Sequence, residues 1–115
     1  MKTFKNRTIS LGIASVFIAM TNTAYALSDA DVKSIMKKST CFKCHAETAE
    51  KSKDGPSYPE IATDFKGKKN AEADLYKRLT TTTKVKIKNE EKDHEPLKTK
   101  NDTEIKAVVK WVMSR

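Results

Sequence analysis

The run Cys41-Phe42-Lys43-Cys44-His45 constrains this chain more than anything else in it. Two thiols separated by two residues can each add to a vinyl group on one edge of the same porphyrin, and the histidine that follows is placed to put its imidazole on the iron from one face. The spacing predicts one covalently bound haem c held by Cys41 and Cys44, with His45 as the proximal iron ligand. A redox dithiol, a local disulfide and half of a zinc site are the other uses of a C-x-x-C pair. Zinc needs two further ligands, and the sequence offers only His94 and no third cysteine. A thioredoxin-like dithiol needs a βαβ unit around it, which a short Lys-rich chain does not suggest.

Length leaves room for one small domain. The chain has 115 residues, 37% hydrophobic and 33% charged. Lys2, Lys5 and Arg7 precede an apolar run, Ile9 to Met20, and a polar stretch closing on Ala24-Tyr25-Ala26. A basic start, a short apolar run and an A-x-A site read as a cleavable signal peptide over 1–26. A run of twelve is well short of the ~20 residues that cross a bilayer, so the reading is export to a periplasm with no stable membrane anchor after cleavage. Removing 26 of 115 residues leaves a domain of 89, residues 27–115, and removing three bases takes the net charge from +8 to +5. Domains of this size bury only about 60% of the surface their unfolded chain exposes. A covalent haem, as a large apolar body, supplies core that the side chains do not.

Helix signals dominate the mature chain. Ser28 and Asp31 start a helix whose apolar stripe is Val32, Ile35 and Met36, and Met36 reads as core. Ala46 to Gly55 is polar and reads as a loop ended by Gly55-Pro56. Pro59 suits the first position of a helix carrying Ile61, Ala62 and Phe65 on one face, with Gly67 as its C-terminal cap. Asn70 is expected to cap the next helix, with Leu75, Tyr76 and Leu79, which the threonines 80–83 end. Lys84 to Lys88 alternates with period two and reads as a short extended segment; Asn89 to Lys100 is charged and carries no pattern. Asn101 or Asp102 caps a last helix with Ile105, Val108, Val109 and Val112 buried and Trp111 beside them.

With both ends placed, the sequence resembles the small class I bacterial c-type cytochromes of the c-551/c-552 kind. The resemblance rests on Cys41 to His45 just after an N-terminal helix, on Gly55-Pro56-Ser57-Tyr58 with Ile61-Ala62 and Phe65 after it, and on Lys110-Trp111-Val112-Met113-Ser114. It implies an all-α fold in which the first and last helices pack together around a covalent haem. It also implies that the Pro56 carbonyl accepts a hydrogen bond from the other ring nitrogen of His45, which would fix the ring and raise its donor strength.

One departure stands out. Such cytochromes usually supply a methionine ahead of the last helix as the sixth iron ligand, and here that stretch is Asp93-His94-Glu95-Pro96, while Met36 and Met113 lie elsewhere. His94 is the expected distal ligand, giving a bis-histidine iron. The alternative is a solvated His94 and an iron that is five-coordinate, water-bound or bound by Lys92, Lys98 or Lys100. The expected function is electron transfer between redox partners, not enzymatic catalysis. The competing reading is a ligand-binding or sensing haem protein with an open or displaceable sixth site. Lys43, Lys84, Lys86, Lys88, Lys92, Lys98 and Lys100 are expected to ring the haem edge and steer docking with acidic redox proteins. Nucleic acid is not an expected partner of an exported chain whose bases are interleaved with acids.

Overall fold

A computed structural model describes residues 26–50 and 53–115, so positions 1–25 of the expected signal peptide lie outside the described residues. Four helices carry the fold: α1 (Asp29–Lys38), α2 (Tyr58–Phe65), α3 (Ala71–Thr80) and α4 (Asp102–Met113). A single 3₁₀ turn, Cys41–Lys43, follows α1, and a two-stranded antiparallel hairpin, β1 (Thr83–Ile87) and β2 (Glu90–His94), stands between α3 and α4. None of these helices is long and apolar enough to cross a membrane.

Local chemistry sets the helix starts. The Ser28 hydroxyl accepts from the Asp31 amide at 3.1 Å, and the Asp31 carboxylate accepts in return from the Ser28 amide at 3.1 Å. The same reciprocal box forms at α2, where the Glu60 carboxylate takes the Ser57 amide at 2.6 Å. These bonds hold both carboxyls below the ordinary carboxylate range, Asp31 chiefly through the Ser28 hydroxyl and Glu60 chiefly through the Ser57 amide. Asn101 caps α4 by accepting from the Glu104 amide at 3.2 Å. Asn70 stands before α3 as expected but makes no capping bond with its side chain. Pro59 is the second helical residue of α2, one place later than its sequence suggests. Gly67, with φ +78°, follows the end of α2 in the left-handed conformation its expected role requires.

Helix α4 is the hub, packing on α1, α2 and α3. Val108 is fully buried, and Met36 and Leu97 are exposed by only 1% and 2%, so these three mark the centre of the core. The α1–α4 contact is also tied at its edge. Trp111 Nε1 donates to Asp29, the Arg115 guanidinium lies 4.2 Å over the Trp111 ring, and Lys33 bridges Asp29 at 3.2 Å and Glu47. The packing of first on last helix implied by the resemblance is what the chain adopts.

The hairpin is where sequence pattern and structure part. Lys84 to Lys88 is extended as expected, but the patternless stretch after it supplies a second strand, in the register Thr83↔His94, Val85↔Lys92 and Ile87↔Glu90. Glu90–His94 has low strand propensity of its own, and pairing with β1 imposes the conformation. Lys88 and Asn89 turn the chain with φ of 50° and 68°, both in the left-handed region that a two-residue hairpin turn requires. The chain then returns to the body, with the Leu97 amide donating to Leu79 O at 2.8 Å and the Lys98 amide to Ser39 Oγ at 3.0 Å.

Candidate haem site

Cys41 opens the 3₁₀ turn directly after Thr40, whose φ of 61° breaks the run of α1 and redirects the chain. The turn is short because the Cys44 and His45 amides both donate to Cys41 O, at 3.3 and 3.1 Å. It brings the two thiols and the imidazole within one compact bend. Cys41, Cys44 and His45 are all half-buried, and burial pushes the Cys41 thiol above its ordinary value. Phe42 between them stacks edge-on with Tyr58 at 5.7 Å and Trp111 at 6.4 Å, so the attachment turn is clamped to α2 and α4 by an aromatic trio. Burial also raises the Tyr58 phenol well above its usual range, with the neighbouring Cys41 adding to the effect.

His45 is held from two sides. Its Nδ1 lies 2.7 Å from Pro56 O, the bond the resemblance implies, which leaves Nε2 as the nitrogen free to bind a metal. Gly55 forms the floor. A β-carbon there would lie 3.0 Å from His45 Cε1 and 3.1 Å from Nδ1, closer than an ordinary contact, so only glycine lets the loop pass beneath the ring. The Gly55 amide donates to Cys44 O at 2.8 Å and the Tyr58 amide to Ala46 O at 3.0 Å, which draws Gly55 and Pro56 back to His45.

Across from His45, the last residue of β2 is His94. The two rings lie 6.0 Å apart between centroids. Two imidazoles sharing one metal, each with a nitrogen about 2 Å from it, have centroids roughly 6 Å apart, so the pair fits an iron between them. His94 is half-buried and its Nδ1 is buried with no hydrogen-bond partner. Burial lowers its pKa, and the Arg78 guanidinium lowers it further, so the neutral, metal-binding form is favoured. Thr83, Val85 and Ile87 share the inner face of the hairpin with His94, because residues opposite one another in an antiparallel pair point the same way. Val85 and Ile87 are half-buried there yet lie outside the hydrophobic cluster of the helices, an apolar surface suited to a porphyrin face.

The methionines stay out of the site. Met36 is core, as expected, and Met113 packs against the core cluster from the end of α4. Among the lysine candidates, Lys92 is ion-paired with Glu90 at 3.4 Å. Sequence reasoning passed over Gly55 as a floor for His45 and Arg78 as a charge acting on His94. Neither carried a local signal, since each acts through a residue far off in the sequence. Among the described residues no group of three or more histidine, cysteine and acidic side chains is arranged to hold a separate metal ion.

Comparison with known proteins bears on the family and the fold. Residues 29–115 match the family model for cytochrome c. The class 1 cytochrome MtoD from Sideroxydans lithotrophicus ES-1 superposes with a TM-score of 0.67 at 37% identity, over 76% of this chain and 97% of MtoD. Cytochrome c552 from Nitrosomonas europaea superposes with a TM-score of 0.56 at 24% identity, over 75% of this chain and 98% of its own, a likeness of fold. No curated protein matches the chain. With an attachment turn, a pinned imidazole and a family match spanning every helix, the chain belongs to the cytochrome c family, with the class I fold and one covalently bound haem c.

Proposed function

We propose that this is an exported, periplasmic electron carrier in which Cys41 and Cys44 hold the haem and the iron is ligated by His45 and His94. The observation that carries the reading is the 6.0 Å separation of the two rings, one pinned to Pro56 O and the other with a buried, unpartnered nitrogen. The bound haem supplies a one-electron iron couple. Everything else falls to the protein: the turn at Cys41 fixes the position, Pro56 orients His45, and the hairpin brings His94 and its apolar inner face to the other side. Two fixed imidazoles keep coordination constant between oxidation states, which suits electron transfer and disfavours substrate chemistry. Replacing a thioether by imidazole also lowers the potential relative to methionine-ligated relatives, because His/Met ligation is the arrangement that raises it. The physiological partners on this reading are acidic redox proteins.

Low-temperature electron paramagnetic resonance of the oxidised holoprotein tests the ligation. A low-spin bis-imidazole signal is expected, converting to another species in His94→Ala. An unchanged spectrum and midpoint in that variant would overturn the assignment. A displaceable sixth site is the second reading, favoured because the hairpin carrying His94 packs extensively on none of the helices. Carbon monoxide or nitric oxide binding to the reduced native protein would select it.

A further inference from the structure

The two histidines reach one site by different means. His45 is oriented through its own side chain, since its Nδ1 lies 2.7 Å from Pro56 O. His94 has no such tether: its Nδ1 is buried without a hydrogen-bond partner, so the backbone that carries it must fix where the ring stands. On one side that backbone is the hairpin, which packs extensively on none of the helices. On the other it is Glu95-Pro96-Leu97-Lys98, a stiff link, because Pro96 has a fixed φ and confines Glu95 to extended backbone. Two hydrogen bonds hold the end of this link, the Leu97 amide on Leu79 O at 2.8 Å and the Lys98 amide on Ser39 Oγ at 3.0 Å. Leu79 belongs to α3, which leads into the hairpin, so the first bond closes that unit on itself. Ser39 comes from elsewhere, the end of α1, two residues before Cys41.

A serine is not what the end of α1 requires. Ser39 is only 9% exposed, and with Ser57 it is one of the polar side chains buried among the described residues. The Ser57 hydroxyl caps α2. At the end of α1 the Ser39 amide donates to Ile35 O at 3.1 Å and the Thr40 amide to Lys37 O at 3.0 Å, both main-chain bonds that use no hydroxyl. Alanine would serve the helix as well, and a buried hydroxyl costs free energy unless it is hydrogen-bonded. Its partner is the Lys98 amide, 59 positions away.

We propose that Ser39 is a positioning residue for the distal ligand: by holding the Lys98 amide it ties the segment that follows His94 to the segment that carries Cys41, and so keeps the imidazole seated. This role rests on ligation of the iron by His45 and His94. The spans involved are short. Ser39 stands two residues from Cys41 and Lys98 four from His94, about 7 and 14 Å at full extension, so slack at Lys98 passes directly to His94. Without Ser39 the chain after His94 answers only to Leu79, and the imidazole gains room to leave the iron. The brace therefore sets how readily a small ligand displaces His94. It also keeps the potential down, because a firmly held imidazole favours the oxidised iron.

Ser39→Ala, Ser39→Thr and Ser28→Ala holoproteins test the brace. Cyanide is the probe: it replaces a distal ligand no faster than that ligand leaves, so its saturating rate with the oxidised protein reads the release of His94. Losing one hydrogen bond predicts a rate about fivefold higher in Ser39→Ala, with a raised midpoint potential and an altered low-spin electron paramagnetic resonance signal. Ser39→Thr keeps the acceptor and should restore all three. Ser28→Ala removes the cap at the other end of the same helix, which loosens the fold without touching Lys98, so its rate and midpoint should match the wild type. A wild-type rate and midpoint in Ser39→Ala, or an equal change in Ser28→Ala, would overturn the brace. In the wild type the Lys98 amide should exchange slowly with deuterium, and exchange at the rate of a free loop amide would overturn it too, whether or not Ser39→Ala folds. The ligation has its own readout. A wild-type spectrum without a bis-imidazole signal overturns His94 as ligand and the role of Ser39 with it, whereas a bis-imidazole wild type with an unresponsive Ser39→Ala overturns the brace alone.

Discussion

Gly55→Ala isolates the support of the proximal histidine. The added methyl would lie 3.0 Å from His45 Cε1 and 3.1 Å from both Cys44 O and His45 Nδ1, where ordinary contacts begin near 3.4 Å. Something must move by several tenths of an ångström, and the ring has no free direction because Nδ1 is held 2.7 Å from Pro56 O. Overpacking of a fixed site costs about 1–3 kcal/mol. At roughly 4–8 °C per kcal/mol for a domain of this size, a cost of about 2 kcal/mol lowers the melting temperature by roughly 8–16 °C. The displaced ring also loses donor strength as the Pro56 bond lengthens, so the midpoint potential rises. Thermal unfolding followed at the Soret band and a redox titration read the two effects. Gly67→Ala is the control: its φ of +78° makes alanine strained by about 1–2 kcal/mol, yet nothing lies within 4 Å of the new methyl, so stability falls and the potential stays put. A Gly55→Ala protein that melts with the wild type and keeps its potential would refute the floor.

Three further outcomes follow from the packing and the charges. Leu97→Ala removes a core side chain exposed by 2% at the point where the hairpin returns to the body, and denaturant titration should show a loss of about 2–5 kcal/mol. Asp29, its carboxyl lowered chiefly by the Trp111 N–H and also by Lys33, stabilises the fold above the ordinary carboxylate value of about 4, and that contribution disappears as pH falls through the depressed folded value. Asp29→Asn should therefore lower stability at neutral pH and flatten the acid limb of the stability profile, and an unchanged limb would show that the Trp111 bond is not felt. Asp54→Asn frees the hairpin tip from Lys88, so amide hydrogen exchange across 83–94 should quicken in the variant and, in the wild type, on adding salt.

The parts of this fold that were legible in the sequence are those where one residue type has one job. Ser28, Val32 and Met36, and the stripe Ile105–Val112, announced their helices because capping and a 3.6-residue period act within a few positions. The attachment motif was legible for the same reason, with its chemistry contained in five consecutive residues. The hairpin was half legible. Val85 and Ile87 gave β1 away, but Glu90 and Lys92 on β2 show no apolar alternation because they take strand form from their partners, and Lys88-Asn89 lacks the glycine that usually marks such a turn. The position of His94 could be matched to a ligand loop, yet its register with Thr83, which decides the face on which it points, is fixed only by the pairing.

That register gives the hairpin the character of an exchangeable cassette. Its strands alternate faces with a period of two, so an insertion of a single residue between Asn89 and His94 would turn the imidazole to the outside, while a two-residue change would keep it inward and slide it by one step. Neither change touches the interfaces of α4 with the other helices, because none of the helices packs extensively on the hairpin. On the bis-histidine reading proposed above, the choice of distal ligand, and with it the potential at which such a protein works, is then a local variable, open to revision without redesign of the core that holds the chain together.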